Sequence, residues 1–246
     1  DKLNLTAGVR TTDEEKTVYG NSYKPASKTY TLQAVTNVAR WKETTSMFAA
    51  DYQINENVMA YVSFSEGFKS GGFNPRPVGG FTAAPFGPEY VESTEIGFKS
   101  ELLDRRVRLN AAFFSSDYKD LQFSVNRFNQ ATGTLELLVG NAAEAEIKGF
   151  ELELEALVSE NLSLRASFGN TDFEITRLYP GTSPEITLNT KQAVSPENTS
   201  ALSLVYSVPA FNGITTFRLD YSHQDERFSD IQNTQELLQE ANDMIN

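Results

Sequence analysis

Eight consecutive residues near the middle of the chain, FELELEAL at positions 150–157, alternate apolar side chains with glutamates. A period of two places the apolar set on one side of a β-strand and Glu151, Glu153 and Glu155 on the other. A slip of one residue would turn all three carboxylates to the apolar side, at a cost on the order of 1 kcal/mol or more per charge if that side faces a bilayer. The segment therefore predicts a strand of fixed register with two faces of opposite character.

The same alternation recurs along the chain and predicts an all-β protein built from antiparallel strands. About nine long strands are expected, near residues 2–11, 42–53, 57–67, 91–101, 105–126, 135–157, 161–174, 197–207 and 214–227. The segment 105–126 is far longer than the average globular strand of about 5 or 6 residues. Such a length suits a tilted strand that crosses a membrane and projects beyond it.

Short and long connections alternate between these strands. Short turn-like segments recur at residues 54–57, 102–105, 159–162 and 210–213, whereas residues 69–89 and 175–196 are long and irregular. Structureless connections longer than about 12 to 15 residues are uncommon in compact soluble domains. Transmembrane β-barrels, in contrast, alternate short periplasmic turns with long extracellular loops. The pattern favours a transmembrane β-barrel, and a soluble antiparallel sandwich with one charged face is the alternative.

Composition excludes several classes of function. The formal net charge of -12 disfavours a nucleic-acid-binding surface. The chain has no cysteine and one histidine, so thiolate and multi-histidine metal sites are excluded, and no metal or cofactor is predicted. No apolar run approaches the roughly 18 residues of a transmembrane helix.

His223 is the one residue that suggests catalysis, because a histidine can activate a serine nucleophile. No serine lies in a G-x-S-x-G setting, so the requirements of a catalytic triad are not met. Beside Asp220 and Asp225, the histidine is predicted to be a solvated residue lining a lumen. We predict that the chain is not an enzyme, and an outer-membrane hydrolase built on His223 is the alternative from that class.

Four segments together resemble one known family. They are YVSFSEGFKSGGFN at 61–74, PEYVESTEIGFK at 88–99, FSSDYKDLQ at 114–122 and IKGFE at 147–151. In order and spacing they resemble the barrel portion of TonB-dependent outer-membrane receptors, and the resemblance extends over essentially the whole chain. It implies an antiparallel, multi-pass barrel of about 22 strands in the bacterial outer membrane, with a plug domain in its lumen.

The resemblance also defines what is expected to be missing. No plug, energy-coupling box or final strand ending in an aromatic residue is visible in the sequence. Residues 1–246 are therefore expected to form part of one such barrel domain, without the signal peptide, the plug and the final strands.

The family implies transport as the function of the chain. The expected process is TonB-dependent uptake of a scarce ligand, with a ferric siderophore or another iron complex ahead of haem, cobalamin and oligosaccharides. The implied partners are the TonB complex, reached through the plug and the N-terminal box, the ligand, and outer-membrane lipid with lipopolysaccharide. A soluble or surface-exposed all-β ligand-binding module is the alternative.

The motif GFKSGGFN is expected to mark the point where a strand leaves the membrane and enters the first long loop. Its Gly67, Gly71 and Gly72 are predicted to allow backbone conformations closed to other residues. Phe68 and Phe73, together with Phe64, are predicted to supply an interfacial aromatic girdle.

Ligand contacts are expected from loop residues that can form hydrogen bonds or stack. The candidates are Lys69, Asn74, Arg76, Phe81, Arg127, Phe128 and Asn129. The two arginines suit an anionic chelate or a carboxylate, and solvent or lipopolysaccharide phosphates are alternative partners. Near the end of the chain, residues 234–245 have apolar side chains at helical spacing, and we expect a loop with one helical turn that leads into the next strand.

Overall fold

A computed structural model of the chain describes residues 2–24, 26–74, 84–129 and 134–246. These residues are almost entirely β, as predicted. The strands are β1 (Leu3–Lys24), β2 (Thr29–Asn55), β3 (Val58–Lys69), β4 (Gly72–Phe73), β5 (Pro85–Phe86), β6 (Glu89–Leu102), β7 (Val107–Asn129), β8 (Thr134–Leu157), β9 (Leu162–Leu178), β10 (Asn198–Ala210), β11 (Gly213–Gln224), β12 (Arg227–Phe228), β13 (Leu238–Gln239) and β14 (Asn242–Ile245).

Ten of the strands form one antiparallel sheet in the order β1-β2-β3-β6-β7-β8-β9-β10-β11-β14. Nine of them are the long strands expected from the sequence, and the short β14 is the tenth. A 3₁₀ helix, Gln235–Leu237, precedes β14, which confirms the helical turn expected in the tail. The sheet is open, with β1 and β14 at its edges. Within the described part of the chain, no helix is long and apolar enough to cross a membrane.

One end of the sheet carries only tight turns. These comprise residues 56–57, 103–106, 158–161 and 211–212, at the four positions predicted. At the last of them Phe211 and Asn212 have φ of 53° and 61°, which is the pattern of a type I′ hairpin. We call this the short-turn end.

The opposite end, which we call the long-loop end, carries the connections 70–88, 179–197 and 225–241. The first two strands differ from the prediction because they continue far beyond residues 2–11 and 42–53, and pair up to Lys24 and Thr29. The apolar alternation stops at TTDEEK (residues 11–16), but the backbone hydrogen bonds continue. The alternation of apolar and polar residues therefore predicted only the part of this hairpin that has an apolar face.

Paired residues on neighbouring strands lie on the same face, so the alternation within each strand produces two distinct faces across the whole sheet. A typical row of paired residues on one face runs Ala50, Val62, Ile96, Phe113, Phe150. On this face the Phe150 ring lies 5.9 Å from that of Phe113 and 5.4 Å from that of Phe168. We call it the apolar face. The opposite, polar face bears the glutamates of β8, so the register predicted from FELELEAL is confirmed.

A small apolar core lies at the long-loop end, where loops cover part of the polar face. Ala143 and Ile175 of adjacent strands are almost completely buried, and Ile186 from the 179–197 connection covers them. Ile231 from the 225–241 connection packs against the same cluster. Two loops thus fold back onto the wall instead of extending away from it.

Candidate functional site

The polar face near the short-turn end carries a row of alternating charges. Glu101, Arg108, Glu155 and Arg165 occupy paired positions on four successive strands. The Arg108 guanidinium lies 3.1 Å from Glu101 and 3.3 Å from Glu155, and the Arg165 guanidinium lies 3.4 Å from Glu155. The row is therefore largely neutral. Because these side chains remain about half exposed, each pair contributes about 0–1 kcal/mol.

The two faces together indicate how the sheet is used. Large apolar side chains on the apolar face stay exposed, including Ile96 at 58% and Phe113 at 56%. Soluble proteins rarely expose a continuous apolar surface of this extent. Apolar residues outside and charged residues inside are the arrangement of a transmembrane barrel wall, so we assign the polar face to the lumen.

The GFKSGGFN motif turns onto the polar face at the long-loop end. Residues 70–74 and 84–88, which we call the strap, include the two-residue strands β4 and β5, and these pair with each other. Gly71 packs so closely that a Cβ atom there would lie 2.5 Å from Cε2 of Trp41 and 2.3 Å from the Phe86 carbonyl oxygen. Trp41 belongs to β2, on the polar face.

These contacts correct two details of the sequence prediction. Gly67, Gly71 and Gly72 do not have positive φ. Gly71 and Gly72 are needed for close approach, because a Cβ atom on Gly72 would also lie 2.9 Å from the Phe86 ring. Phe73 does not join a girdle on the apolar face, because its ring makes an edge contact with Trp41, 6.5 Å between centroids.

Amide side chains from β7 and β8 hold the other side of the strap. Asn141 accepts a hydrogen bond from the Gly87 N–H at 2.7 Å and donates to the carbonyl oxygens of Gly87 and Pro88. It also donates to the carbonyl of Asp120 at 2.7 Å, which has φ of 57° at a bulge in β7. Gln122 donates to the carbonyl oxygens of Ser70 and Gly87.

Asn74 completes this set. Its side chain is 6% exposed, and its amide bonds both backbone polar groups of Val139. On the β1 side, the Lys16 ammonium donates to the Gly71 carbonyl at 2.7 Å and lies 5.6 Å from the Trp41 ring. The strap therefore crosses the polar face from β2 to β8, over the three strands that lie between them.

The predicted ligand contacts are distributed unevenly. Lys69 is exposed at the end of β3, with its ammonium 4.0 Å from Glu89, whereas Asn74 is a buried residue of the strap. Arg76 and Phe81 lie outside the described residues. The backbones of Arg127, Phe128 and Asn129 pair with residues 134–136 at the end of β7. The structure thus places Asn74 in the strap and Lys69 directly before it, and the prediction of ligand contact stays a prediction for all seven residues.

Sequence reasoning missed Trp41, Gln122 and Asn141. Each lies beyond the apolar band, where alternation no longer distinguishes an anchor from a solvated residue. No local signal marks the two amides, because Gln122 and Asn141 bond Gly87 across 35 and 54 positions of the sequence.

His223 lies on the face opposite to the one predicted. Its Nδ1 is 2.9 Å from Oδ1 of Asp243 and its Nε2 is 3.1 Å from Oδ1 of Asp225. Tyr221 donates to the same Asp243 oxygen, so His223 shares the face of Tyr221 and not that of Asp220. The side chain links β11 to the edge strand β14.

The two remaining long connections interlock. The Asn233 side chain accepts a hydrogen bond from the Lys191 N–H at 2.6 Å and donates to the Lys191 carbonyl at 3.0 Å. The Val194 N–H donates to the Phe228 carbonyl at 2.7 Å. With Ile186 and Ile231 on a common core, residues 179–197 and 225–241 form one folded unit beside the strap.

A partly buried phenol lies beside the strap. Burial and a hydrogen bond to Glu43 at 3.0 Å raise the pKa of Tyr90 to about 12. Tyr90 is the second residue of β6, at the long-loop end and beyond the apolar band. The phenol therefore stays neutral and donates to the Glu43 carboxylate across the physiological range.

Comparison with known proteins identifies the family of this wall. The sequence profile described as TonB dependent receptor-like, beta-barrel matches residues 1–242. A probable TonB-dependent siderophore receptor, PiuA of Acinetobacter baumannii, is 27% identical over 90 residues, which are 37% of this chain and 11% of that protein.

Solved structures show the same fold. The ferric yersiniabactin uptake receptor FyuA from Yersinia pestis superposes with a TM-score of 0.80 at 20% identity, over 99% of this chain and 34% of that one. The siderophore receptor PiuA from Acinetobacter baumannii gives a TM-score of 0.75 at 18% identity, over 99% and 34%. The chain thus spans about a third of the length of these receptors.

Proposed function

Because this chain belongs to the TonB-dependent receptor family of outer-membrane β-barrels, we propose that it forms part of the wall of a receptor that takes up a ferric siderophore. The wall supplies a lipid-facing outer surface, a polar lumen and a set of loops over the extracellular entrance. The ligand is recognised at the long-loop end and leaves through the lumen.

The observation that carries this proposal is the segregation of the loops. All three long connections lie at one end of the sheet, and the strap and the 179–197 loop fold over the polar face. A ligand that enters from this end meets folded protein before it reaches the lumen. The short-turn end offers only turns of two to four residues, which suits the periplasmic side of a barrel.

A plug domain is the partner that best fits the polar face. Glu151 and Glu153 are exposed there, in rows next to the compensated charges of Arg108 and Arg165. A wide barrel cannot fill its lumen with its own wall side chains. A polar plug would bury these groups with hydrogen bonds and would transmit energy from TonB.

The choice of cargo is supported by the relatives. FyuA is described as a ferric yersiniabactin uptake receptor and PiuA as a siderophore receptor. At 18–20% identity their likeness shows the fold of the wall, and the cargo that both descriptions name supports a siderophore as the class of ligand.

Uptake can be tested in an iron-starved bacterium that lacks its own siderophore receptors and produces the full-length protein carrying this sequence. The probes are ⁵⁵Fe complexes of catecholate, hydroxamate and mixed siderophores. We expect uptake of at least one complex, abolished by deletion of tonB. Absence of uptake of every complex by a correctly assembled receptor would reject iron–siderophore transport, and recovery of the protein as a soluble species would favour the soluble binding module.

A further inference from the structure

We propose that Asn141, Gln122 and Asn74 are positioning residues that keep the strap docked on the polar face during uptake. The inference rests on the proposed transport function and concerns how the first long loop is presented to the ligand. The wall holds the strap on both sides, so the strap does not lift from the sheet during uptake.

On one side, amide side chains bond the backbone of the strap. Asn141 satisfies both polar groups of the Gly87 backbone as well as the Pro88 carbonyl. Gln122 serves the carbonyl oxygens of Ser70 and Gly87. The strap pairs with itself only through β4 and β5, two residues each. These side chains therefore replace the sheet partners that the strap backbone lacks, and lifting the strap would exchange their hydrogen bonds for bonds to water.

Close packing against β1 and β2 holds the other side of the strap. Gly71 and Gly72 are buried, and Gly71 has no room for a Cβ atom between Trp41 and the Phe86 carbonyl. The Lys16 ammonium bonds the Gly71 carbonyl. The strap thus contacts β1 and β2 on one side and β7 and β8 on the other.

The two halves of the strap flank residues 75–83 of the first long loop. Asn74 and Ala84 bound residues 75–83, which contain the ligand candidates Arg76 and Phe81. Asn74 is fixed to Val139 of β8, although its chain arrives from β3, which lies three places away in the sheet. The anchor therefore fixes Asn74, the last described residue before this loop, beside β8.

The same contacts provide a covalent test. A Cβ atom on Gly87 would lie 3.7 Å from Cγ of Asn141, so the two side chains would be in contact, and a disulfide between cysteines at the two positions tests whether they stay together. This chain has no cysteine of its own. In the full-length receptor, the double variant Gly87→Cys/Asn141→Cys replaces the amide anchor with a bond that can be reduced.

Uptake of a ⁵⁵Fe–siderophore that the wild type transports is then measured at equal surface level. We expect Asn141→Ala to raise KM about tenfold or more, the loss that follows from misplacing a contact loop. The KM of the oxidised double variant should lie within about twofold of the wild-type value. Treatment with dithiothreitol, which breaks the disulfide, should raise this KM to that of Asn141→Ala. The control is Asn110→Ala, because Asn110 is a polar-face amide that bonds Glu153 and not the strap.

Two results would overturn the proposal: an oxidised double variant that is inactive and regains transport on reduction, or an Asn141→Ala variant with wild-type KM. If Asn141→Ala fails to assemble, Gln122→Ala replaces it with the same expectation. If the wild type transports no complex, the proposed function fails by itself. The strap is then judged by disulfide yield in intact cells, which should be complete with and without a protonophore; a yield that falls in either state contradicts permanent docking.

Discussion

The side-chain amide of Asn74 bonds both the N–H and the carbonyl of Val139, a residue 65 positions away in the sequence. This contact joins the end of the GFKSGGFN motif to the first part of β8, at the long-loop end. It explains why a strand rich in aromatic residues ends in glycines. The chain must turn sharply onto the polar face, and only residues without a Cβ atom fit between Trp41 and Phe86.

Gly71→Ala tests this packing. The new methyl group overlaps Trp41 and the Phe86 carbonyl, so we expect a destabilisation of about 1–3 kcal/mol, as for other overpacked sites. The measurement is urea unfolding of the receptor in lipid vesicles. The control is Gly140→Ala, because a Cβ atom at Gly140 meets nothing within 4 Å. Equal unfolding free energies for the two variants would contradict the close approach at Gly71.

The apolar face is tested by placing an arginine in the middle of its band. Leu152→Arg directs a charge into the bilayer, and we expect a loss of about 2–4 kcal/mol in the unfolding free energy. Ser167→Arg is the matched control on the polar face, one position away from Phe168, the partner of Leu152. A control that is as unstable as Leu152→Arg would show that the two faces do not differ in environment.

The pairing of Tyr90 with Glu43 gives a pH-dependent prediction. The pKa of Tyr90 is raised in the folded state to about 12, above the ordinary value of about 10. The contribution of the neutral Tyr90 phenol to the free energy of unfolding is therefore complete below about pH 10. It is lost as the pH rises from about 10 to about 12. The absorbance of tyrosinate at 295 nm, compared between wild type and Tyr90→Phe, should assign a midpoint near 12 to this residue; a midpoint near 10 would show a solvated phenol.

The interlocked loops predict a shared response. Asn233→Ala removes both bonds to Lys191 and places alanine at φ of 53°, where asparagine is favoured. We expect faster hydrogen exchange in residues 187–196 and in residues 228–237 together. Asn189→Ala, an exposed position in the same loop, should change neither segment. Faster exchange confined to residues 228–237 would contradict a single unit.

The sequence was sufficient to predict the long strands of the sheet and the short turns between them. Alternation in FELELEAL set the register of β8, and turn signals located all four short turns, because both depend on neighbouring residues. The helical turn Gln235–Leu237 followed by β14 was also predictable from local spacing.

The strap was not predictable in the same way. Asn141 bonds Gly87 across 54 positions, and Gln122 bonds the same residue across 35. Nothing in the local pattern of either amide differs from that of a solvated residue such as Asn110. His223 was misplaced for a related reason: its polarity suggested the lumen, whereas strict alternation from Phe217 and Tyr221 puts it on their face.

The most direct test of the account is the environment of successive residues along β8 in the assembled receptor. Single cysteines at positions 150–156 carry nitroxide labels, and their collision rates with oxygen, which concentrates in lipid, are measured. Oxygen accessibility should be high at 150, 152, 154 and 156 and low at 151, 153 and 155. A profile without this period of two would contradict a barrel wall with a lipid-facing side and a polar lumen.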